Sequence, residues 1–312
     1  MSRHLFIALG GIASAILSIA FVTGKPSMIV LANLAPLPLF LVGFGYGTKA
    51  GLLALAVGFA LSAGMGGLLA AGMFGLVHAL PSGLAIRQAL LRRTDAKGQV
   101  SWYPLGAVLC WLAAFAGALL VVAALVSYGH GESLQQSVTS YLEMVLRIVW
   151  PVLAESERNR VLSEMVPFFP GAAAAMWLAV LVGNGLLAMA IMTRSGRSLR
   201  PAPAARDMVL PDWMSWLIVA AAAVALLGTG DVEYIGRNLS MIMAVPFFVL
   251  GTAVVHGLAR RVHVRQPLLV VFYVVLFMSV WARMAVVGLG LIEQWVGVRR
   301  RVAGTNPVRE DE

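Results

Sequence analysis

Of 312 residues, 60% are hydrophobic and only 12% charged, with a mean hydropathy of +0.87, whereas an ordinary soluble domain carries roughly 25% charge. This excludes a water-soluble globule with one buried core and predicts a bundle of helices assembled in lipid. The net charge of +9 does not indicate nucleic acid, because Lys and Arg fall in short clusters between apolar runs, as the positive-inside rule expects of cytoplasmic loops.

The first apolar run, 5–22, follows Arg3 and reads as a retained first helix, since no small-x-small cleavage site follows it. Gly10, Ser14 and Ser18, with Gly11 and Ala15 beside them, form small faces that let a second helix come close. After a turn at Gly24-Lys25-Pro26, a second helix covers roughly 28–46 and contains Asn33, Pro36 and Pro38. Each proline removes an amide donor and crowds the carbonyl four residues back, so this helix kinks or breaks. Open backbone at membrane depth survives only where protein or a water-filled cavity satisfies it, and broken helices mark binding sites in transporters. The break is thus either a kink filled by packing or a ligand site. Gly43, Gly47 and Gly51 continue a small face past it, toward Lys49.

From Ala50 to Leu80 no residue is charged. A single helix of that length would reach about 45 Å, beyond a hydrocarbon core of about 30 Å. Gly64-Met-Gly-Gly67 lies at its middle and predicts a hairpin of two short helices, which puts Lys49 on the same side as Arg87, Arg92, Arg93 and Lys97. Residues 81–98 read as a basic loop with one short amphipathic helix. The run 103–128 spans outward. The polar interval 129–167 is rich in Glu, and Leu134, Val138, Tyr141, Val145, Val149 and Val152 recur at threes and fours. It reads as an external insertion, either an amphipathic helix lying on the outer membrane surface or an ordinary connector.

Next, 168–192, with Asn184 between Gly183 and Gly185, returns to a linker holding Arg194, Arg197, Arg200 and Arg206. The run 213–227 goes out to Asp231 and Glu233, read as a solvated loop, and 239–258 comes back to Arg260, Arg261, His263 and Arg265. The last apolar stretch, 267–296, carries Arg283 near its middle, and a break near Trp281-Ala-Arg283 keeps Arg299, Arg300 and Arg301 with the other basic clusters. The expectation is an all-α polytopic integral membrane bundle with eight to ten embedded segments, some short or broken. It is a single membrane domain over 1–302, followed by a disordered cytoplasmic tail at 303–312. Both termini are cytoplasmic and the membrane is the bacterial inner membrane.

Enzyme signatures are missing: no His-Glu-x-x-His, no Gly-x-Ser-x-Gly and no P-loop occurs. No catalytic role, cofactor or metal site is expected, and the single Cys110 excludes a disulfide framework. His78 and His256 are placed near helix ends, in interfacial hydrogen bonds. Arg283, an ionisable group at depth, either faces a cavity or snorkels to the interface. Asn33 and Asn184 either bind a ligand or bridge helices. Glu293-Gln-Trp295 reads as an interfacial anchor.

The run Pro36-Leu-Pro-Leu-Phe-Leu-Val-Gly-Phe-Gly-Tyr-Gly47 and the run Gly290-Leu-Ile-Glu-Gln-Trp-Val-Gly-Val-Arg-Arg-Arg301 resemble the bacterial membrane family DUF2232. That family is similar to the S components of energy-coupling-factor vitamin transporters. The resemblance implies a small ligand held among helices, and docking on a transmembrane coupling protein with ATPase subunits. S components often use Ala-x-x-x-Ala of the first helix for that docking, where this chain has Gly11-x-x-x-Ala15. Two functions stay open. One is a small-molecule uptake component whose site includes Asn33, Pro36, Pro38, Asn184 and Arg283. The other is a non-transporting scaffold that organises membrane proteins through its glycine faces and basic loops.

Overall fold

The computed structural model describes residues 2–19, 30–201, 208–260, 262 and 264–297. The turn at 24–26, Arg206, Arg261, His263, the cluster at 299–301 and the tail at 303–312 lie outside the described residues. Where one membrane domain was expected, contacts gather the chain into two compact units. The first is Met1–Phe115 with Met176–Pro203, and the second is Ala116–Ala175 with Ala204–Glu312.

In the first unit, α1 (Arg3–Ile19) buries the small face foreseen for it, Gly10, Gly11, Ser14 and Ala15. A β-carbon on Gly11 would run into Ala54 and Val57 of α3 (Thr48–Phe74), and one on Gly10 into Val42 of α2 (Val30–Tyr46). Leu39, Val42, Ala54 and Phe74 fill the core that these helices share. Gly11 and Ala15 are therefore occupied by helix packing within the chain. The same holds for Gly43 and Gly51, which lie under Ile86 of α4 (Leu80–Ala89). Gly47, at φ 96°, joins α2 to α3.

The long uncharged stretch folds back on itself. Gly66 and Gly67 leave helical geometry, Gly67 with a φ of 71° that only glycine adopts freely. Beyond them Phe74 packs on Gly58, Gly75 on Phe59 and Leu55 on Gly83, the pairing of an antiparallel hairpin. The second arm continues through a π-helical turn, Gly75–Ala79, into α4. Length and composition alone would make Thr48–Ala89 one crossing of 42 residues, but the pairing shows two arms.

One element corrects the all-α expectation. Residues 92–102, read as part of a basic loop, contain an antiparallel hairpin of β1 (Arg92–Thr94) and β2 (Val100–Trp102), with Arg92 opposite Trp102. Its turn is chemically specified. The Asp95 carboxylate accepts from the amides of Lys97 and Gln99 at 2.9 and 2.8 Å, and Gly98 supplies a φ of 77°.

Two long apolar helices, α5 (Leu105–Gly129) and α8 (Phe169–Arg194), each begin in one unit and end in the other. The second unit holds α6 (Leu134–Val149), α7 (Glu155–Met165), α9 (Asp212–Leu227), α10 (Asp231–Ala259), α11 (Arg265–Met278) and α12 (Val280–Val296). The polar interval 129–167 thus holds two helices, not one. On α6 the buried residues are Leu134, Leu142 and Leu146, while Tyr141 and Val149 of the expected face, and Val152 beyond the helix end, are exposed. Asp231, expected in a solvated loop, caps α6 by accepting from the amides of Leu134 and Gln135 at 3.3 and 3.2 Å. In the closest helix crossing, a β-carbon on Gly290 of α12 would strike the Phe247 carbonyl of α10, and one on Gly251 the Val286 carbonyl. The last stretch breaks at Ser279, two residues before the expected place, where α11 and α12 meet at 114°.

By length and composition, four stretches among the described residues are apolar enough to cross a membrane, and the bent α11–α12 pair makes a fifth. Three shorter apolar helices, α1, α2 and α9, stand beside them.

Candidate functional site

The α2 break is built by its prolines. Pro36 and Pro38 cannot donate, and the amides of Leu34, Ala35 and Leu37 bond three residues back instead of four, at 2.9–3.1 Å. That tightening shifts the Leu37 amide from the Asn33 carbonyl to Leu34, and Asn184 Nδ2 donates to Asn33 O at 2.9 Å from α8. Ser14 of α1 donates to the Ala35 carbonyl at 2.7 Å.

The same device recurs. Pro81 leaves the Val77 carbonyl without its helical donor, and Trp177 Nε1 takes its place at 3.1 Å. Trp177 and Asn184 lie two turns apart on one face of α8, so this face answers both of these proline sites. In the second unit Pro170 deprives the Val166 carbonyl, and the Tyr234 hydroxyl donates to it at 2.9 Å. Asn238, fully buried, bridges an adjacent gap: it accepts from the Gly171 amide at 2.8 Å and donates to the Pro167 carbonyl at 3.1 Å.

Among the described residues, four buried side-chain polar atoms of the first unit have no protein partner. One is Ser62 Oγ in α3; the other three are Asn184 Oδ1 at the α2 break, His78 Nδ1 in the π-helical turn, and Ser82 Oγ one turn after His78. Their helices are neighbours. The π turn packs on α2, and Trp177 and Asn184 tie α8 to both. Irregular backbone on α2 and the π turn, and unpaired polar atoms on the π turn, α4 and α8, thus lie on elements linked by packing or hydrogen bonds, and π turns often accompany functional sites. His78 was expected near a helix end, but it sits within the second arm, its ring 6.0 Å from that of Phe74. His256 does make the expected kind of bond, to the Tyr273 hydroxyl at 2.8 Å.

Of the five residues expected at a ligand site, Asn33, Pro36, Pro38 and Asn184 come together in the first unit, and Arg283 belongs to the second. Arg283 is exposed on the first turn of α12, between exposed Trp281 and Met284. The chain turns at Ser279, and the helix has already resumed at Val280. The hollow nearest to Arg283 along the chain is an open dent on α11 lined by Leu269, Val270, Tyr273, Val274, Phe277 and Met278, with only the tyrosine hydroxyl as a polar group. Glu293, expected in an interfacial anchor, is 94% buried, whereas Trp295 is exposed.

A membrane-protein character so uniform along the chain agrees with the comparison of families. The model of the family described as "Predicted membrane protein (DUF2232)" matches residues 12–293. The chain belongs to the DUF2232 family. No curated protein and no solved structure matches it. Within this member of DUF2232, Ser82 gave no signal in the sequence and His78 was read only as an interfacial hydrogen bonder, because a π turn has no composition of its own. Asn238 and Tyr234 lacked any signal beyond being polar residues near the start of an apolar run.

Proposed function

We propose that this DUF2232 protein is a multi-pass protein of the bacterial inner membrane that binds a small polar molecule within its first unit, as an uptake component. Eight to ten segments are embedded, and both termini are cytoplasmic. The observation that carries the reading is the set of buried unpaired atoms Asn184 Oδ1, at the α2 break, and His78 Nδ1 and Ser82 Oγ, on the arm whose π turn packs on α2. Leaving a buried donor or acceptor unmatched costs about 1–3 kcal/mol, and a ligand with its own donors and acceptors recovers that energy on binding. The chain has no nucleotide-binding loop. Accumulation therefore draws energy from another subunit, as the resemblance to S components implies, and the protein itself catalyses no reaction. Arg283 is not part of this site.

Mass spectrometry of the protein purified in mild detergent tests the reading. The expected result is a small molecule retained by the wild type and lost from both Asn184→Leu and His78→Phe. Wild-type protein that retains nothing, in cells whose solute uptake is unchanged by either substitution, would overturn it.

A scaffold is the second reading, supported by the exposed apolar side chains of α6, Tyr141, Met144, Ile148 and Val149. Co-purification of a stoichiometric membrane partner that is lost from Met144→Ser/Ile148→Ser would favour it.

A further inference from the structure

The net charge of this protein is not spread over it. The first unit contains ten Lys and Arg but one acid, Asp95, while the second contains thirteen of each sign, so the whole +9 belongs to the first unit. Most of it is concentrated where apolar helices end. Arg87 lies in the last turn of α4, and Arg92, Arg93 and Lys97 stand on the β-hairpin that follows. Arg194 and Arg197 flank the end of α8, where Gly196, at φ 67°, makes a Schellman cap with Arg197 N bonded to Met192 O at 2.9 Å. All six side chains are exposed. The one acid in the sequence of this unit, Asp95, is already engaged by two backbone amides.

The cluster is also held in shape. Arg200 donates from Nη1 to the Ala89 carbonyl at 2.8 Å and the Tyr103 carbonyl at 2.9 Å, closing the base of the hairpin. Its guanidinium and that of Arg92 both lie within 6 Å of the Trp102 ring, at 5.8 and 5.9 Å. Half-burial lowers the Arg200 pKa by desolvation, yet a guanidinium stays charged. Beside the hairpin, Trp111 Nε1 donates to the Tyr103 hydroxyl at 3.1 Å. Aromatic residues at the ends of apolar helices mark the headgroup level of a bilayer.

We propose that the β-hairpin and the 194–200 segment form a binding site for the phosphate headgroups of anionic phospholipids, with Arg92 and Arg200 held at the Trp102 ring. A lipid is favoured over an acidic protein because the cations and the aromatic side chains are set at the ends of membrane helices, where phosphate is the abundant anion. Each Lys or Arg near such a surface contributes about 1 kcal/mol, or roughly fivefold in affinity.

Native mass spectrometry of the full chain, in detergent micelles doped with equal phosphatidylglycerol and phosphatidylcholine, tests this. Wild-type protein is expected to retain phosphatidylglycerol preferentially, and Arg92→Gln/Arg93→Gln/Lys97→Gln to lose that preference by on the order of a hundredfold at low salt. Arg147→Gln/Arg160→Gln in the second unit is expected to change nothing. Trp102→Leu, which keeps every charge, is expected to weaken retention several-fold, and the surface triple variant stands independently of any effect on hairpin folding. Equal retention of both lipids by the wild type would overturn the proposal, as would a triple variant that behaves like it. So would competition by free glycerol phosphate as effective as by the lipid, or selective capture of an acidic peptide in place of phosphatidylglycerol.

Discussion

Asn184 performs two tasks with one amide. Its Nδ2 closes the Asn33 carbonyl and also bonds Val180 O at 2.8 Å, while its Oδ1 has no protein partner and in the proposed site meets the ligand. Asn184→Leu should therefore lose both stability and binding, with a stability cost of about 1 kcal/mol, typical of side-chain hydrogen bonds in membranes. Asn184→Asp keeps the acceptor but loses the donor. Purified Asp variant should thus unfold at a lower temperature than wild type in detergent, and equal melting curves would show that Asn33 has no need of it. For Arg283 the exposed position between Trp281 and Met284 implies that charge near headgroups is what counts. Arg283→Lys is expected to support wild-type membrane levels and activity, and a loss with Lys equal to that with Ala would restore a specific guanidinium site. Gly290 and Gly288 make a sharper pair. A β-carbon at 290 meets the α10 backbone, whereas one at 288 meets nothing within 4 Å. Gly290→Ala should cost about 1–3 kcal/mol through overpacking and Gly288→Ala nothing measurable, as read from thermal unfolding followed by size-exclusion chromatography.

At the level of the element, the breaks are where sequence and structure can be compared. The Gly64–Gly67 turn was legible because a helix of thirty uncharged residues is too long for a bilayer and its flanking cations had to share a side. The break in 267–296 was placed by the same logic, within two residues of Ser279. Pro36 and Pro38 announced a break but not what fills it, since Asn184 is 151 residues away. The partners of the prolines, Trp177, Tyr234 and Asn238, are fixed by three-dimensional packing that no spacing encodes. The β-hairpin escaped because three-residue strands carry too little pattern, although Asp95 and Gly98 marked its turn. Two consequences belong to this scale. Pro36→Ala/Pro38→Ala should let the Leu37 amide return to Asn33 O, straightening α2 and displacing Asn184. The variant is expected at normal membrane levels but without solute binding, and intact binding would make the break a mere kink. Asp231→Ala removes the acceptor at the start of α6. It should cost about 1 kcal/mol and speed hydrogen exchange at 134–138 without changing exchange in α12.

For the molecule as a whole, the division of charge is the largest asymmetry. Ten cations and one acid in the first unit, against balance in the second, give the positive-inside rule an unambiguous signal in the loops at 87–97 and 194–200. A cysteine introduced at Glu155 should react with an impermeant maleimide added outside intact cells, and one at Ala96 only after permeabilisation. Labelling of position 96 from outside would invert the orientation.

The reach of α8 back to α2 also sets a clock. Residues 1–115 cannot complete their unit until 176–203 have been synthesised. At about 5–20 residues per second, the interval between Asn33 and Asn184 lasts about 8–30 s. For that time the nascent chain carries an open carbonyl at Asn33, and for about 5–20 s of it another at Val77, until Trp177 is made. Such a chain is a substrate for membrane proteases, and its survival is a race between elongation and surveillance. Slowing the ribosome between codons 120 and 170 should lower the yield of this protein without changing the stability of the molecules that escape.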